Sequence, residues 1–245
     1  MSNLSNNTLL TELKGKDYDR YILCMFGAAE HRDNLAALFL FNAELALVRD
    51  QVSEPLLGQI RLQWWRDNLK NLTTTGTYPP HPVLDRFAAM IARGIDLAPL
   101  HHLIDAREDE LIAPSSPEPT IPSHNPEAIT RPLAQVAATI IGQQAVTADV
   151  TATLLAYTEA RLSHHAATEN LVVLQKEKIE ILRDRIKAMP RSLRRTAAPL
   201  FMHNDLAAYY MRRLCRRGSA VGHPNSPASR LWRLTYLLWC GVRVY

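Results

Sequence analysis

LFLFNAELALVRDQVSEPLLGQIRLQWWR, residues 38–66, contains two helical patterns and the break between them. From Asp33 onward the apolar residues Leu35, Leu38, Phe39, Leu45 and Val48, with alanines between them, cover much of a helix circumference. A helix of that kind is buried on several sides, so it is expected at the centre of the fold. Ser53, Glu54 and Pro55 then restart a helix, because Ser caps free amides and Pro is tolerated in a first turn. The second helix carries Leu56, Leu57, Ile60, Trp64 and Leu69. Trp64 is expected in the core. Trp65, one position round the helix, cannot share that face and is expected at an interface or pocket, where Trp is enriched.

Outward from this stretch the helical spacing continues. Residues 17–30 form a first apolar helix that Gly27 ends or bends. Residues 73–82, TTTGTYPPHP, read as a loop, followed by amphipathic helices over 83–93 and from Pro99 to about Leu111. Residues 113–132 hold Pro114, Pro117, Pro119, Pro122, Pro126 and Pro132 and are expected to be an exposed connection with little regular structure. Helical spacing returns over 133–142, 150–189, 197–217 and 230–244. No apolar/polar alternation bounded by turn pairs and no fixed-period repeat is present. The expected fold is all-α, a helical bundle, with 245 residues in a single domain.

The composition, 47% apolar and 21% charged with 9 glycines, fits a folded helical protein and excludes a disordered chain. The net charge of +4 conceals an asymmetry: residues 183–245 hold 13 Lys/Arg against 2 Asp/Glu, or +11, leaving −7 for residues 1–182. Cys24, Cys215 and Cys240 form no C-x-x-C pair or zinc spacing and read as free thiols of a reducing compartment. The first twenty residues lack the apolar core of a secretory signal and the Arg-rich pattern of a transit peptide, which points to the bacterial cytoplasm or mitochondrial matrix. The longest apolar run, residues 231–244, is interrupted by Arg233 and Arg243, so no spanning helix is expected.

Residues 18–72 closely, 103–111 in part, and 188–214 recognisably resemble the squalene/phytoene synthase family; Gln63-Trp64-Trp65-Arg66 is the sharpest local match. The resemblance implies a bundle of the trans-isoprenyl diphosphate synthase type. Working members carry two facing D-x-x-x-D helices. Carboxylates four apart share a helical face and there hold Mg²⁺ against a substrate diphosphate. Here Ala46 and Asp50 stand at the first pair, with Glu44 six residues before Asp50 and on a different face. The second pair is not found: residues 140–160 contain only Asp149 and Glu159, and the chain reads as shortened there. Asn42, Glu44 and residues 52–66 lie nearest to the branch similar to the mitochondrial complex I assembly factor and its α-proteobacterial relatives. That resemblance implies a non-catalytic assembly or interaction factor with protein partners, no cofactor and, given its basic tail, contact with a membrane surface.

Two alternatives stay open: a divergent Mg-dependent prenyl diphosphate transferase, and a structural subunit of a larger complex. The first would draw its metal and diphosphate ligands from Glu44, Asp50, Asp105 and Asp109, although Arg107 and Glu108 make the Asp105–Asp109 segment read as an ion-paired surface. Pocket or interaction residues are Arg61, Trp64, Trp65 and Arg66. A basic membrane or partner patch is expected from Arg212, Arg213, Arg216 and Arg217 beside Trp232 and Trp239. No nucleic-acid module accompanies that charge, which argues against RNA as partner. The histidine doublets His101-His102 and His164-His165 lack an i, i+4 partner and read as surface residues.

Overall fold

A computed structural model describes residues 2–52, 54–112, 125–162, 169–217 and 227–245. Among them every element is helical: α1 Ser2–Lys16, α2 Tyr18–Phe26, α3 Ala29–Gln51, α4 Pro55–Thr74, α5 Pro82–Ile91, α6 Pro99–Ile112, α7 Pro126–Ile140, a 3-10 turn Gln144–Val146, α8 Thr147–Leu162, α9 Glu169–Ala188, α10 Arg191–Thr196, α11 Ala198–Arg217 and α12 Pro227–Val244. The all-α expectation is met.

Local chemistry sets many of the ends. Asp17 accepts the Arg20 amide to start α2, and Gly27 ends it. The His81 ring accepts the Val83 amide ahead of Pro82 at the start of α5. α4 begins with Pro55 in its first turn behind Glu54, which makes no side-chain cap; Ser53 lies outside the described residues. One expectation is corrected. Of the proline-rich stretch 113–132, residues 113–124 lie outside the described residues, but Pro126–Ile140 is helix rather than irregular connection. Asn125 caps the Glu127 and Ala128 amides, Pro126 occupies the first turn where its missing N–H costs nothing, and Pro132 is buried inside the helix. Proline content alone misleads here, because Pro126 sits where a helix starts and Pro132 is accommodated within it.

α3 is the central strut. Asn34 through Ala43 are buried without interruption, and α1, α2, α4, α5, α6 and α7 pack around it. Its two buried amides are matched rather than stranded: Arg86 Nε donates to Asn34 Oδ1 at 2.7 Å and Arg107 Nη2 to Asn42 Oδ1 at 3.0 Å. Leaving either unpaired would cost about 1–3 kcal/mol. One apolar cluster surrounds α3 with Leu38, Phe41, Trp65, Phe87 and Leu103; a second joins α2, α8, α9, α11 and α12 through Leu23, Tyr157, Met202, Met211 and Leu237.

A buried polar network ties the second cluster together. Asp19 Oδ1 meets Arg233 Nη1 at 2.7 Å, while its Oδ2 accepts the Tyr210 hydroxyl at 2.6 Å and the Tyr157 hydroxyl at 3.0 Å. Arg233 also donates to Tyr210 at 2.8 Å and Arg161 to Tyr157 at 3.1 Å. α2, α8, α11 and α12 thus converge on one carboxylate, with Arg233 only 2% exposed. Removing one member of such a pair strands the other charge in the core. Asp19→Ala is therefore expected to cost about 3–5 kcal/mol in denaturant unfolding; a loss below about 1 kcal/mol would show that the pair does not hold these helices.

His203 lies in the same layer, its Nδ1 2.9 Å from the Leu200 carbonyl and its ring edge-on to Tyr157 at 5.2 Å. Burial, reinforced by the nearby Arg20 charge, pushes the imidazole down to about 3. Burial alone would raise Asp17, but Arg20 and Arg161 more than offset it and leave this carboxyl below its ordinary value. Both effects have one sign. The unfolded chain takes up a proton at a histidine below pH ~6.5 that folded His203 refuses, so stability falls from there toward pH ~3, at a limiting ~1.4 kcal/mol per pH unit. The Asp17 contribution is present above its unfolded value near 3.8 and is lost as the pH falls through its lower folded value. His203→Gln, which keeps a donor for Leu200, should flatten the stability profile between about pH 6 and pH 4.5. Denaturant melts at stepped pH check this, and an unchanged slope would exclude His203 as its source.

Candidate interaction site

α3 and α4 diverge around a cavity of about 370 Å³ lined by Lys16, Glu44, Leu47, Val48, Gln51, Arg61, Trp64 and Trp65. Its polar rim is largely self-satisfied. Lys16 Nζ donates to Glu44 at 2.8 Å, His81 lies 3.8 Å from the same carboxylate, and Arg61 donates to Gln51 at 2.9 Å. Its aromatic wall is continuous with the core: Trp65 meets Phe41 edge-on at 5.0 Å, His81 at 5.1 Å and Trp64 at 4.9 Å.

The two tryptophans exchange their expected places. Trp65 is 5% exposed and belongs to the core, whereas Trp64 is 39% exposed. The inward side of α4 is Gly58, Leu62, Trp65, Leu69 and Leu72, a helical stripe set by close approach to α6 at Gly58, where an added Cβ would lie 2.5 Å from Leu111 Cδ2. Leu56, Leu57, Ile60 and Trp64 are consequently turned to solvent, an apolar strip running along α4 to the cavity mouth. Trp65→Ala should cost about 3–5 kcal/mol and Trp64→Ala about 1 kcal/mol or less in thermal or denaturant unfolding; the reverse order would restore Trp64 to the core.

The acidic candidates are scattered. Glu44 faces the cavity and is paired with Lys16; Asp50 is exposed near the end of α3, on a different side of that helix from Glu44. Asp105 and Glu108 both hold Arg66 Nη2 at 2.8 Å, bonds that raise the guanidinium pKa further, and Asp109 is exposed on α6. Arg66 is therefore an α4–α6 tie rather than a cavity residue. Ala46 supplies no ligand, and among the described residues no group of three or more His, Cys, Asp or Glu side chains could hold a metal ion. The Asp105 and Glu108 carboxylates converge on the Arg66 guanidinium, and Asp50 has Ala46 four residues before it in place of a second carboxylate.

At the other end of the molecule Arg212 is exposed and lies 5.5 Å over the Tyr236 ring, and half-buried Arg213 donates to the Tyr209 hydroxyl at 3.4 Å. The side chains of Arg216 and Arg217, like the residues His164 and His165, lie outside those described. Trp232 and Trp239 are 70% and 49% exposed. The expected patch thus has Arg212, Trp232 and Trp239 at the surface. Cys24 and Cys240 are buried free thiols and Cys215 an exposed one.

Sequence reasoning missed Asp17, Asp19, Arg20, Tyr157, Arg161, His203 and Tyr210 as one network. One signal was available: Arg233 inside an otherwise apolar segment is a charge that a buried helix must match, and Asp19, in the first turn of an apolar helix, is its counterpart.

The fold and the sequence agree on a class. Residues 13–121 match the squalene/phytoene synthase family, so this part of the all-α chain is squalene/phytoene-synthase-like. Its similarity falls on the assembly-factor branch. Over 101 residues it is 34% identical to NADH dehydrogenase (ubiquinone) complex I, assembly factor 6, of Homo sapiens, 34% to that of Bos taurus and 35% to that of Rattus norvegicus. Each match covers 40% of this chain and 30% of the relative.

Proposed function

We propose that this chain is a non-catalytic, squalene/phytoene-synthase-like assembly factor that binds a protein partner in the building of a respiratory NADH dehydrogenase, and that it works at a membrane surface. The observation that carries the non-catalytic reading is the fate of the acidic positions. At the first pair that the resemblance asks for, the chain has Ala46 and an exposed Asp50, the second pair is not found in residues 140–160, and the alternative ligand Asp105 is already engaged by Arg66. Without two converging acidic pairs, there is no Mg²⁺ clamp of the kind the resemblance implies for the charge released when a diphosphate leaves. The named relatives support the assembly role over the aligned segment.

The partner surface in this reading is the outer face of α4. Leu56, Leu57, Ile60 and Trp64 form an exposed apolar strip within the segment that aligns with the family. Exposed apolar strips beside a Trp-walled hollow are favoured places for a protein contact. The compartment is the mitochondrial matrix or the bacterial cytoplasm, consistent with three free cysteines. No helix among the described residues is long and apolar enough to cross a membrane, so membrane contact would be peripheral.

Two measurements test the proposal. Purified chain incubated with farnesyl or geranylgeranyl diphosphate and Mg²⁺ should release no diphosphate; release abolished by Asp50→Ala would establish the transferase alternative instead. Affinity capture from the native source should recover respiratory-complex assembly intermediates, and Ile60→Glu with Trp64→Ala should reduce that recovery about tenfold or more, the scale of losing hot-spot contacts. Recovery in fixed stoichiometry with the finished complex would favour a structural subunit.

A further inference from the structure

α12 buries its charge and exposes its apolar side. Ser229, Arg233, Leu237 and Cys240 face inward, while Leu231, Trp232, Thr235, Leu238, Trp239 and Val242 are all exposed, Val242 by 89%. At 100° per residue the six outward positions fall within about a third of the helix circumference and extend for about 17 Å. None of them is charged. Arg233, one of the two arginines that interrupt the apolar run in the sequence, is withdrawn onto Asp19 at 2.7 Å, and the outward positions named above carry no charge.

Cationic charge borders this face. Arg212 of α11 is exposed with its guanidinium 5.5 Å over Tyr236, and Tyr236 in turn stacks at 6.2 Å on Trp239. α12 contains no Asp or Glu, and the one acid of α11, Asp205, is buried beside Arg183 at 3.7 Å and the Tyr245 hydroxyl at 3.2 Å. The surface therefore combines an aliphatic strip, two tryptophans and a neighbouring cation with no exposed acid on either helix. A protein groove would be matched by shape and by charges of both signs. An anionic bilayer is matched by apolar depth, indoles at the headgroup boundary and positive charge alone.

We infer that α12 lies in the plane of an anionic lipid surface, with Leu231, Leu238 and Val242 toward the acyl chains, Trp232 and Trp239 at the headgroup boundary and Arg212 among the phosphates, the Asp19–Arg233 pair fixing the rotation of the helix. This rests on the membrane-surface part of the proposed function and names its site and lipid class. It is independent of catalysis and of the α4 partner surface. Because Arg233 is held inside the protein, the helix inserts sideways and does not span.

The test is flotation of the full chain with vesicles of phosphatidylcholine alone or of equimolar phosphatidylcholine and phosphatidylglycerol, alongside light scattering of the free protein. The wild type should float with the anionic vesicles. Trp232→Ala combined with Trp239→Ala should lower that binding about tenfold or more. Arg212→Gln should lower it about fivefold on anionic vesicles and leave binding to neutral ones unchanged. Leu231→Gln with Val242→Gln, both exposed, provides a second pair should the indole variants misfold by circular dichroism. Flotation unaffected by either pair would overturn α12 as the contact while leaving the membrane-surface reading standing; no flotation with either composition would overturn both and leave the partner-capture result to decide the assembly role. A dimer that the tryptophan pair dissolves would assign the face to a second copy of the chain and overturn the lipid assignment.

Discussion

The meeting of Asp19 with Arg233, closed by the hydroxyls of Tyr157 and Tyr210, is the constraint on which half of the molecule rests. It joins the second helix to the last and passes through α8 and α11 between them. Two opposite charges at 3% and 2% exposure are costly to bury singly and tolerable together, so the network permits one arrangement of four helices and penalises the rest. Removing either partner alone would strand the other charge in the core, so the pair ties together the two helices that carry it. Its most direct consequence is the rotation of α12, since an arginine turned inward obliges the other side of the helix to face out.

α3 imposes a comparable constraint on the other half. A helix buried along ten consecutive residues has few positions free for chemistry, and its buried polar groups, Asn34 and Asn42, are occupied by arginines from α5 and α6. The side where a prenyl-coupling enzyme would present acids instead carries Phe39, Ala43 and Ala46, and Phe39 packs against His203 at 5.6 Å. Apolar packing and a neutral imidazole occupy most of this side, and Asp50, exposed near the end of α3 and four residues after Ala46, is a carboxylate that it keeps. The described helices are held by burial and by internal pairs, Asp19 with Arg233 and Asp105 with Arg66 among them.

Much of the candidate site was legible before the coordinates, in uneven measure. Gln51, Arg61, Trp64 and Trp65 fall in the stretch most similar to the family, and their helix is readable from Pro55 and the apolar spacing that follows. Asp105 reads correctly as an ion-paired residue because Arg107 and Glu108 mark its helix as a charged face, although the actual partner, Arg66, lies 39 residues away. The structure reverses the expected places of Trp64 and Trp65. Both stripes of α4 are apolar, Leu56-Leu57-Ile60-Trp64 on one side and Leu62-Trp65-Leu69-Leu72 on the other, and periodicity alone does not rank them. On the buried side Gly58 packs against α6, where an added Cβ would lie 2.5 Å from Leu111 Cδ2.

What the sequence determined by itself was therefore local and periodic: helical elements, several helix ends such as those at Asp17, Gly27, Pro55 and Pro82, an acidic body with a basic tail, and no carboxylate at position 46. Those features depend on residues within a turn or two of one another. Only the tertiary structure decided which apolar stripe of α4 is core, that Arg233 is internal, and that Leu231, Trp232, Leu238, Trp239 and Val242 of α12 face outward. Each of those outcomes depends on a contact across a long sequence separation, such as Asp19 with Arg233 or Gly58 with Leu111, and helical periodicity holds no information about which distant surface a given face will meet.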